Sequence, residues 1–263
     1  MPETITSTNN SKIKLVRALQ SHTKNRKTES AFVAEGVRLV EEAANVGWPL
    51  DFVLYDETLS ERGLELIRTL QSQQGVDIAQ IATELGADIS DTHTPQGILA
   101  VLAREALTLP DSPSFVIIAD QIRDPGNMGT LLRTAEAAGA DAVLLSPGTV
   151  DAFSPKVVRS GMGAHFYLPI KHSSWDEIKS YLEGLPVFLA ESEGGTPLWE
   201  ADLLQPCAML IGGEAFGASQ EGHKMATQRL TIPMRGRAES LNAAVAGAIL
   251  IAEVLRQRYQ QEE

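Results

Sequence analysis

The chain has 263 residues, of which 43% are hydrophobic and 21% charged, so it can bury a substantial core. Disorder, collagen and coiled coil are therefore excluded as its main state. The longest uncharged stretch near the end, residues 240–252, is shorter than the roughly 20 residues of a membrane span.

The beginning of the chain has neither the basic nor the apolar region of a secretory signal. Cys207 is the only cysteine and lies in an apolar run, which excludes an intramolecular disulfide and a thiolate metal cluster. We expect a cytoplasmic protein without a membrane span, with Cys207 in the core.

The net charge of −12 disfavours nucleic-acid binding by bulk electrostatics, but one segment differs from the rest. No acidic residue lies between Glu3 and Glu29. This basic segment contains Lys12, Lys14, Arg17, Lys24, Arg26 and Lys27. It is either a solvated helix face or a surface that contacts phosphates, for which clustered Lys and Arg are needed whatever the net charge.

The first hundred residues alternate between helix-like and strand-like patterns, which predicts a small α/β unit. One expected helix begins at Asn10 or Ser11, and two others span 36–46 and 59–71. The expected strands span 31–34, 52–55, 76–81 and 98–103. Residues 104–114 contain two prolines and little periodicity, so they are expected to link two domains, 1–105 and 106–263.

The second domain begins with a continuous apolar strand, 115–119, which is typical of a parallel sheet buried on both faces. Further strands are expected at 142–145, 166–170, 187–190, 208–211 and 230–232, and helices at 126–138 and 241–252. The pattern predicts a mostly parallel sheet with helices on both faces. The last helix is apolar on every side, so it must be covered on more than one side, within its domain or at a subunit interface.

The first polar segment follows strand 115–119. Its Asp-Pro-Gly-Asn turn leads into a helix that Asn127 is placed to cap, and small residues share one helix face with Arg133. Such a face leaves room for a ligand to approach the guanidinium. The alternative is a structural ion pair between Arg133 and Asp120 or Asp141.

The second segment is the glycine-rich stretch 212–219, directly after strand 208–211, with Glu214 at the sheet edge. Glycines at such a place permit a ligand to approach the backbone. The stretch lacks the Gly-Lys-Ser/Thr ending of a P-loop, and no G-x-G-x-x-G follows the first strand, which disfavours triphosphate and dinucleotide sites.

The third segment, 232–246, leaves strand 230–232 through proline and glycine and enters the apolar helix. Ser240 or Asn242 is expected to cap that helix, and capping alone would explain both residue types. Capping does not explain why three polar loops follow strands of one sheet. Open α/β sheets bind their ligands at such strand ends.

The three segments resemble the ordered motifs of the SpoU/TrmH group of SPOUT RNA 2′-O-ribose methyltransferases. They are Asn127-x-Gly129-x-x-x-Arg133, Gly212-x-Glu214-x-x-Gly217-x-Ser219, and Ile232-Pro233-Met234 followed by Ser240-Leu241-Asn242. The segment 151–170 is similar to the family's intermotif segment. The first domain resembles, more loosely, the substrate-binding domain often fused ahead of the catalytic one, an α/β fold akin to certain ribosomal proteins.

The resemblance implies a trefoil-knotted parallel-sheet domain, a homodimer, no metal and the cofactor S-adenosyl-L-methionine (SAM). It implies a cofactor pocket formed by Gly212, Ile232 and Leu241. Arg133 would face the target ribose. The polar ring of the site would be completed by Asn127, Glu214, Ser240 and Asn242.

The function implied is SAM-dependent 2′-O-methylation of structured RNA, with ribosomal RNA of the large subunit as the first expectation and transfer RNA as the second. Lys24 and Arg26 of the basic segment, with Lys156 and Arg159 of the intermotif segment, are expected to contact RNA. Two alternatives remain at this point: a non-catalytic RNA-binding or ribosome-assembly protein, and an enzyme of the same fold that methylates a base.

Overall fold

The computed structural model describes residues 4–72, 75–214 and 217–259. The chain forms two compact units, one of residues 1–105 with 153–166 and one of residues 106–152 with 167–263. The segment 153–166, which lies between the first two motifs of the second domain, thus packs with the first unit. Among the described helices, none combines the length and apolarity needed to cross a bilayer.

The first unit is built on a mixed sheet of four strands in the order β1-β4-β2-β3. Its helices before residue 105 are α1 (Ser11–Ser21), α2 (Thr23–Thr28), α3 (Val37–Asn45), α4 (Glu61–Ser72) and α5 (Thr83–Ile89), and its strands are β1 (Ala31–Glu35), β2 (Leu50–Tyr55), β3 (Asp77–Gln80) and β4 (Ile98–Ala103). Strand β4 is antiparallel to both β1 and β2, and β2 is parallel to β3. The predicted α/β unit is confirmed, although its short helices α2 and α5 were not expected.

Helix α1 shows how local sequence determines this unit. The side chain of Asn10 accepts a hydrogen bond from Lys12 N and caps the helix, as expected. Ile13, Val16 and Leu19 are fully buried in the core against the sheet. Their three-residue spacing places them on one side of the helix, which explains why the periodicity was sufficient to predict it.

The second unit contains a seven-stranded sheet in the order β7-β6-β5-β10-β8-β11-β9, and all of its strand pairs are parallel. The strands are β5 (Phe115–Asp120), β6 (Ala142–Leu145), β7 (Ile170–His172), β8 (Val187–Glu191), β9 (Thr196–Pro197), β10 (Cys207–Gly212) and β11 (Gln228–Thr231). The helices after residue 105 are α6 (Pro125–Ala137), α7 (Pro155–Gly161), α8 (Trp175–Tyr181), α9 (Gln220–Met225) and α10 (Ala243–Tyr259), of which α7 belongs to the first unit. The predicted α/β architecture with a parallel sheet is confirmed.

The prediction of a strand at 166–170 is wrong. Residues 164–166 form a turn of 3-10 helix, in which Phe166 N donates to Gly163 O at 3.0 Å, and β7 begins only at Ile170. Met162 adopts a left-handed conformation and Gly163 has φ of +96°, so the chain reverses just before this point. An apolar run of this length does not reveal such a reversal.

The last helix, α10, extends beyond the predicted 241–252 to Tyr259. Its charged end remains helical, and Arg256 there pairs with the buried Glu253 one turn away, at 2.7 Å. Helix α10 packs against α6 and β10. Gly247 permits this close packing, because a β-carbon there would lie 2.8 Å from Ile211 Cδ1.

Cys207 lies in the core at the start of β10, as expected. Burial raises the pKa of its thiol, while the nearby Arg258 opposes that shift. A buried thiol whose thiolate is disfavoured is a poor nucleophile, so the residue serves the packing of β10.

Candidate active site

The candidate site is at the carboxyl edge of the second sheet, where the loops after β5, β8, β10 and β11 lie. Strands β5 and β10 are neighbours in register, with Gly212 paired to Asp120 at their last residues. Strand β8 follows on the other side of β10. The three polar segments identified in the sequence therefore leave the sheet from the same edge.

Asp120 holds these loops together although sequence reasoning considered it only as a partner for Arg133. Its side chain is fully buried. Oδ1 accepts from Ser146 Oγ at 2.6 Å, and Oδ2 accepts from Ser219 N at 2.6 Å. The carboxylate thus connects the end of β5 to the loops after β6 and β10. The sequence signal for this role was an acid placed directly after the apolar run 115–119.

The glycine-rich loop after β10 is closed on itself. Gly213 and Gly217 exchange backbone hydrogen bonds of 3.1 Å in both directions. A β-carbon on Gly213 would lie 2.3 Å from Gln121 O, and Gly217 has φ of +67°, so a side chain at either position would strain the loop. The glycines serve close packing of backbone against backbone, which supports the loop that lines the cleft.

Three polar side chains from the three motifs are joined by hydrogen bonds. Asn127 Nδ2 donates to Glu214 Oε1 at 2.5 Å, and Asn242 Nδ2 donates to Asn127 Oδ1 at 2.9 Å. Because a carboxylate only accepts, Glu214 sets the orientation of the Asn127 amide, and Asn127 in turn sets that of Asn242. Residues far apart in sequence thus form one fixed row of polar groups.

Of the two capping predictions for the helices at this row, one is wrong and one is confirmed. The prediction that Asn127 caps α6 is wrong: Asp124 is the N-cap, and its side chain accepts from Asn127 N at 2.8 Å. The side chain of Asn127 is therefore available for the row. Asn242 does cap α10, since its Oδ1 accepts from Ala244 N and Val245 N. Asn242 therefore both begins the helix and belongs to the row.

A cleft of about 230 Å³ adjoins this row. It contains all three residues expected in the cofactor pocket, together with Glu214 and Ser240, and its lining comprises Ala190, Glu191, Ser192, Ile211, Gly212, Gly213, Glu214, Gly217, Leu230, Ile232, Met234, Ser240, Leu241, Ala243 and Ala246. The described lining includes aliphatic side chains, two carboxylates and no Lys or Arg, a composition that fits a ligand with an apolar part and a positive charge, such as the sulfonium of SAM.

Arg133 lies on α6 with an exposed side chain. Asp120 is bound as described above, and Asp141 accepts from Ser114 N and Phe115 N at 2.7 Å, so neither acid pairs with Arg133. Within the described part of the chain, Arg133 makes no hydrogen bond or ion pair, and it is not among the residues that line the cleft. The structural ion pair considered in the sequence is absent, and the guanidinium faces solvent.

The four residues expected to contact RNA all lie in the first compact unit, but in different states. Lys24 and Lys156 are exposed. Arg159 is half-exposed and pairs with Asp91 at 2.9 Å. Arg26 is only 3% exposed, and its guanidinium donates to Leu19 O and to Thr23 Oγ1. Its placement corrects the expectation, because the buried guanidinium connects α1 to α2 and is not accessible to RNA.

The basic segment is also partly neutralised. Lys12 pairs with Asp77 at 2.6 Å, and Arg17 pairs with Asp88. Lys14, Lys24 and Lys27 are exposed. The acids come from β3 and α5, so the sequence of the segment alone could not show these pairings.

Comparison with known proteins agrees with this geometry. Residues 114–252 match the SpoU rRNA Methylase family, and residues 10–100 match the MRM3-like substrate binding domain. The first match includes all three motifs and the cleft. The chain therefore belongs to the SpoU rRNA methylase family, as its motifs indicated.

Relatives match over nearly the whole chain. The 23S rRNA (guanosine(2553)-2′-O)-methyltransferase RlmP of Bacillus subtilis is 36% identical over 94% of this chain and 97% of its own. The 23S rRNA (uridine(2479)-2′-O)-methyltransferase of Streptomyces viridochromogenes is 32% identical, over 95% and 91% respectively. The crystal structure of the SpoU methyltransferase AviRb from the same species, in complex with AdoMet, superposes with a TM-score of 0.87 and 29% identity, over 95% of this chain and 99% of that one.

The glycine loop generates a stability prediction. We expect Gly213→Ala to lower the free energy of unfolding by about 1–3 kcal/mol, because its β-carbon would collide with the carbonyl of Gln121. Gly236→Ala is the matched control, since a β-carbon there would meet nothing within 4 Å. Urea denaturation of both variants measures the difference, and equal stability would contradict the close backbone packing.

Proposed function

We propose that this protein transfers a methyl group from SAM to the ribose 2′-hydroxyl of a nucleotide in ribosomal RNA of the large subunit. The single observation that carries the proposal is the hydrogen-bonded row Glu214–Asn127–Asn242 beside a cleft with the expected cofactor residues. Relatives that act on 23S rRNA, and the AdoMet complex of AviRb, support the choice of substrate and cofactor.

The cofactor would be held by the backbone around Gly212 and by the aliphatic side chains of Ile232 and Leu241. SAM supplies, when bound, a methyl group that is already electrophilic. The protein has mainly to align the 2′-hydroxyl and assist loss of its proton, and alignment is the larger contribution. The row Glu214–Asn127–Asn242 suits alignment, because Glu214 fixes the amide of Asn127 and Asn127 fixes that of Asn242.

Arg133 is assigned to the substrate side. Arginine keeps its positive charge in proteins, which makes it a poor general base and a good partner for phosphate or developing alkoxide charge. Its exposed guanidinium, without a carboxylate partner in the described part of the chain, is available for that role. Ser240 lines the cleft and completes the polar surroundings of the cofactor.

The direct test incubates the purified protein with labelled SAM and separate samples of ribosomal and transfer RNA, followed by digestion to nucleosides. We expect label on a 2′-O-methylated nucleoside from large-subunit RNA. Label on a base, label in transfer RNA alone, or binding of RNA without transfer would each replace the proposal by one of the alternatives.

We predict that Arg133→Ala lowers the rate of methyl transfer by about 100-fold or more, as for loss of a charged group that stabilises a transition state. Cofactor affinity, measured by calorimetry, should stay within about twofold, because Arg133 is outside the cleft. Arg229→Ala, an exposed arginine of β11, is the matched control. Equal loss of rate and cofactor affinity would refute the assignment.

RNA recognition is assigned to the first unit, which carries Lys14, Lys24, Lys27, Lys156 and Arg159. Phosphate contacts position RNA without reading its sequence, and structured RNA is recognised largely by its shape. We therefore assign this unit to a folded element of ribosomal RNA.

Charge substitutions test this assignment in the full chain, because deleting 1–105 would separate residues 153–166 from the unit in which they pack. Replacing Lys14, Lys24 and Lys27 by Ala should weaken RNA binding. It should also reduce the slope of log affinity against log salt concentration by up to about one per lysine, because each lysine that contacts a phosphate releases one counterion. Cofactor affinity should not change. Lys179→Ala with Lys224→Ala, on exposed positions of the second unit, is the control. An unchanged salt slope in the triple variant would disprove the role of the segment.

We infer a homodimer from the surface of α10. Its inner face is buried, but Val245 is 48% exposed, Ala252 is exposed and Ile249 is only half-buried. These residues recur at helical spacing and form an apolar stripe that a second copy would cover.

Sedimentation velocity tests the dimer. The wild type should sediment as a dimer at micromolar concentration, and Val245→Glu should shift it toward monomer, because the new carboxylate would be desolvated at the interface. Gln220→Glu adds the same charge at an exposed position of α9 and should leave the dimer intact. A wild type that sediments as a stable, active monomer would be the contrary result.

A further inference from the structure

Glu191 is a charged residue of the cleft that none of the three motifs contains. It is the last residue of β8, and its backbone is fixed by pairing with Thr231 of β11. Its side chain is about one-fifth exposed. A carboxylate held at the rim of a ligand cleft by a strand of the sheet is placed for recognition, because its position varies little.

The carboxylate of Glu191 is in contact with His223 of α9. Nδ1 of His223 lies 3.2 Å from Oε1 of Glu191, and both atoms are buried. The contact is not aligned as a hydrogen bond, and neither atom has another such partner in the described part of the chain. His223 thus lies against one oxygen of Glu191, a residue that also lines the cleft.

The position of Glu191 relative to the glycine loop suggests what it binds. Strand β10, which leads into the glycine loop, is a parallel neighbour of β8, which ends at Glu191. In dinucleotide-binding folds a glycine-rich turn follows one strand, and an acid further along the unit accepts a hydrogen bond from a ribose hydroxyl. A carboxylate can only accept, so its ligand must offer donors, and the diol of a ribose does so.

We propose that Glu191 binds the ribose hydroxyls of the cofactor and that His223 positions its carboxylate. This inference rests on the proposed function, because it takes the adenosyl group of SAM as the occupant of the cleft. It adds a charged recognition residue to a pocket in which Gly212, Ile232 and Leu241 are expected to hold the cofactor through backbone and aliphatic groups.

The experiment compares ligands by calorimetry rather than by turnover. S-adenosylhomocysteine and its analogues that lack the 2′- or the 3′-hydroxyl are titrated into the wild type, Glu191→Ala, Glu191→Gln, His223→Ala and the control Glu193→Gln. Glu193 is an exposed carboxylate two residues beyond Glu191 and does not line the cleft.

The wild type and Glu193→Gln should bind at least one deoxy analogue roughly 10- to 100-fold more weakly than the parent compound, the range for a hydrogen bond to a charged group. Glu191→Ala should bind the parent compound more weakly by a similar factor and no longer distinguish it from that analogue. Glu191→Gln and His223→Ala should show intermediate discrimination, since each leaves an acceptor in place that is weaker or less well oriented.

Thermal denaturation of each variant separates this role from a structural one. If Glu191→Ala lowered the melting temperature but kept the wild-type preference for the parent compound, Glu191 would be only a structural partner of His223 and the inference would be wrong. Unchanged affinity in Glu191→Ala would overturn it equally, with the proposed function intact. A wild type that binds neither SAM nor S-adenosylhomocysteine would overturn both.

Discussion

The buried carboxylate of Asp120 is the constraint on which the candidate site depends. It accepts from Ser146 Oγ and Ser219 N, so it connects the end of β5 with loops that follow two neighbouring strands. Gly222 belongs to the same arrangement, because a β-carbon there would lie 2.6 Å from Asp120 Oδ2. An uncompensated buried charge is costly, so this carboxylate is stable only while these loops keep their positions.

The row Glu214–Asn127–Asn242 lies at that edge and is held by its own hydrogen bonds. Asn242 stabilises the start of α10 through its oxygen and orients Asn127 through its nitrogen. One side chain thus both caps the last helix and aligns the polar groups. A substrate hydroxyl placed beside such a row meets groups whose orientations are already determined, which is the physical basis of catalysis by positioning.

Charge is distributed unevenly between the two tasks of the molecule. The described lining of the cleft carries two carboxylates and no cation, which suits a positively charged cofactor. The exposed lysines proposed to contact RNA lie in the first compact unit instead. A net charge of −12 is thus compatible with a polyanionic substrate, because short-range phosphate contacts depend on local clusters in a screened solution.

The sequence by itself determined the α/β class, most element positions and the three motifs. These features depend on local periodicity, on glycine and proline, and on side-chain types that recur at short spacing. The cap at Asp124 was missed because Asn127 is also a residue type that caps helices. The turn at 164–166 was missed because a short apolar run does not reveal a turn. Only the tertiary structure decided that Arg26 is buried, that Asp77 and Asp88 pair with two of the other five cations of the basic segment, and that Glu191 meets His223. Each of these facts depends on which distant strand or helix becomes a neighbour, and that is set by packing of the whole core rather than by any segment within it.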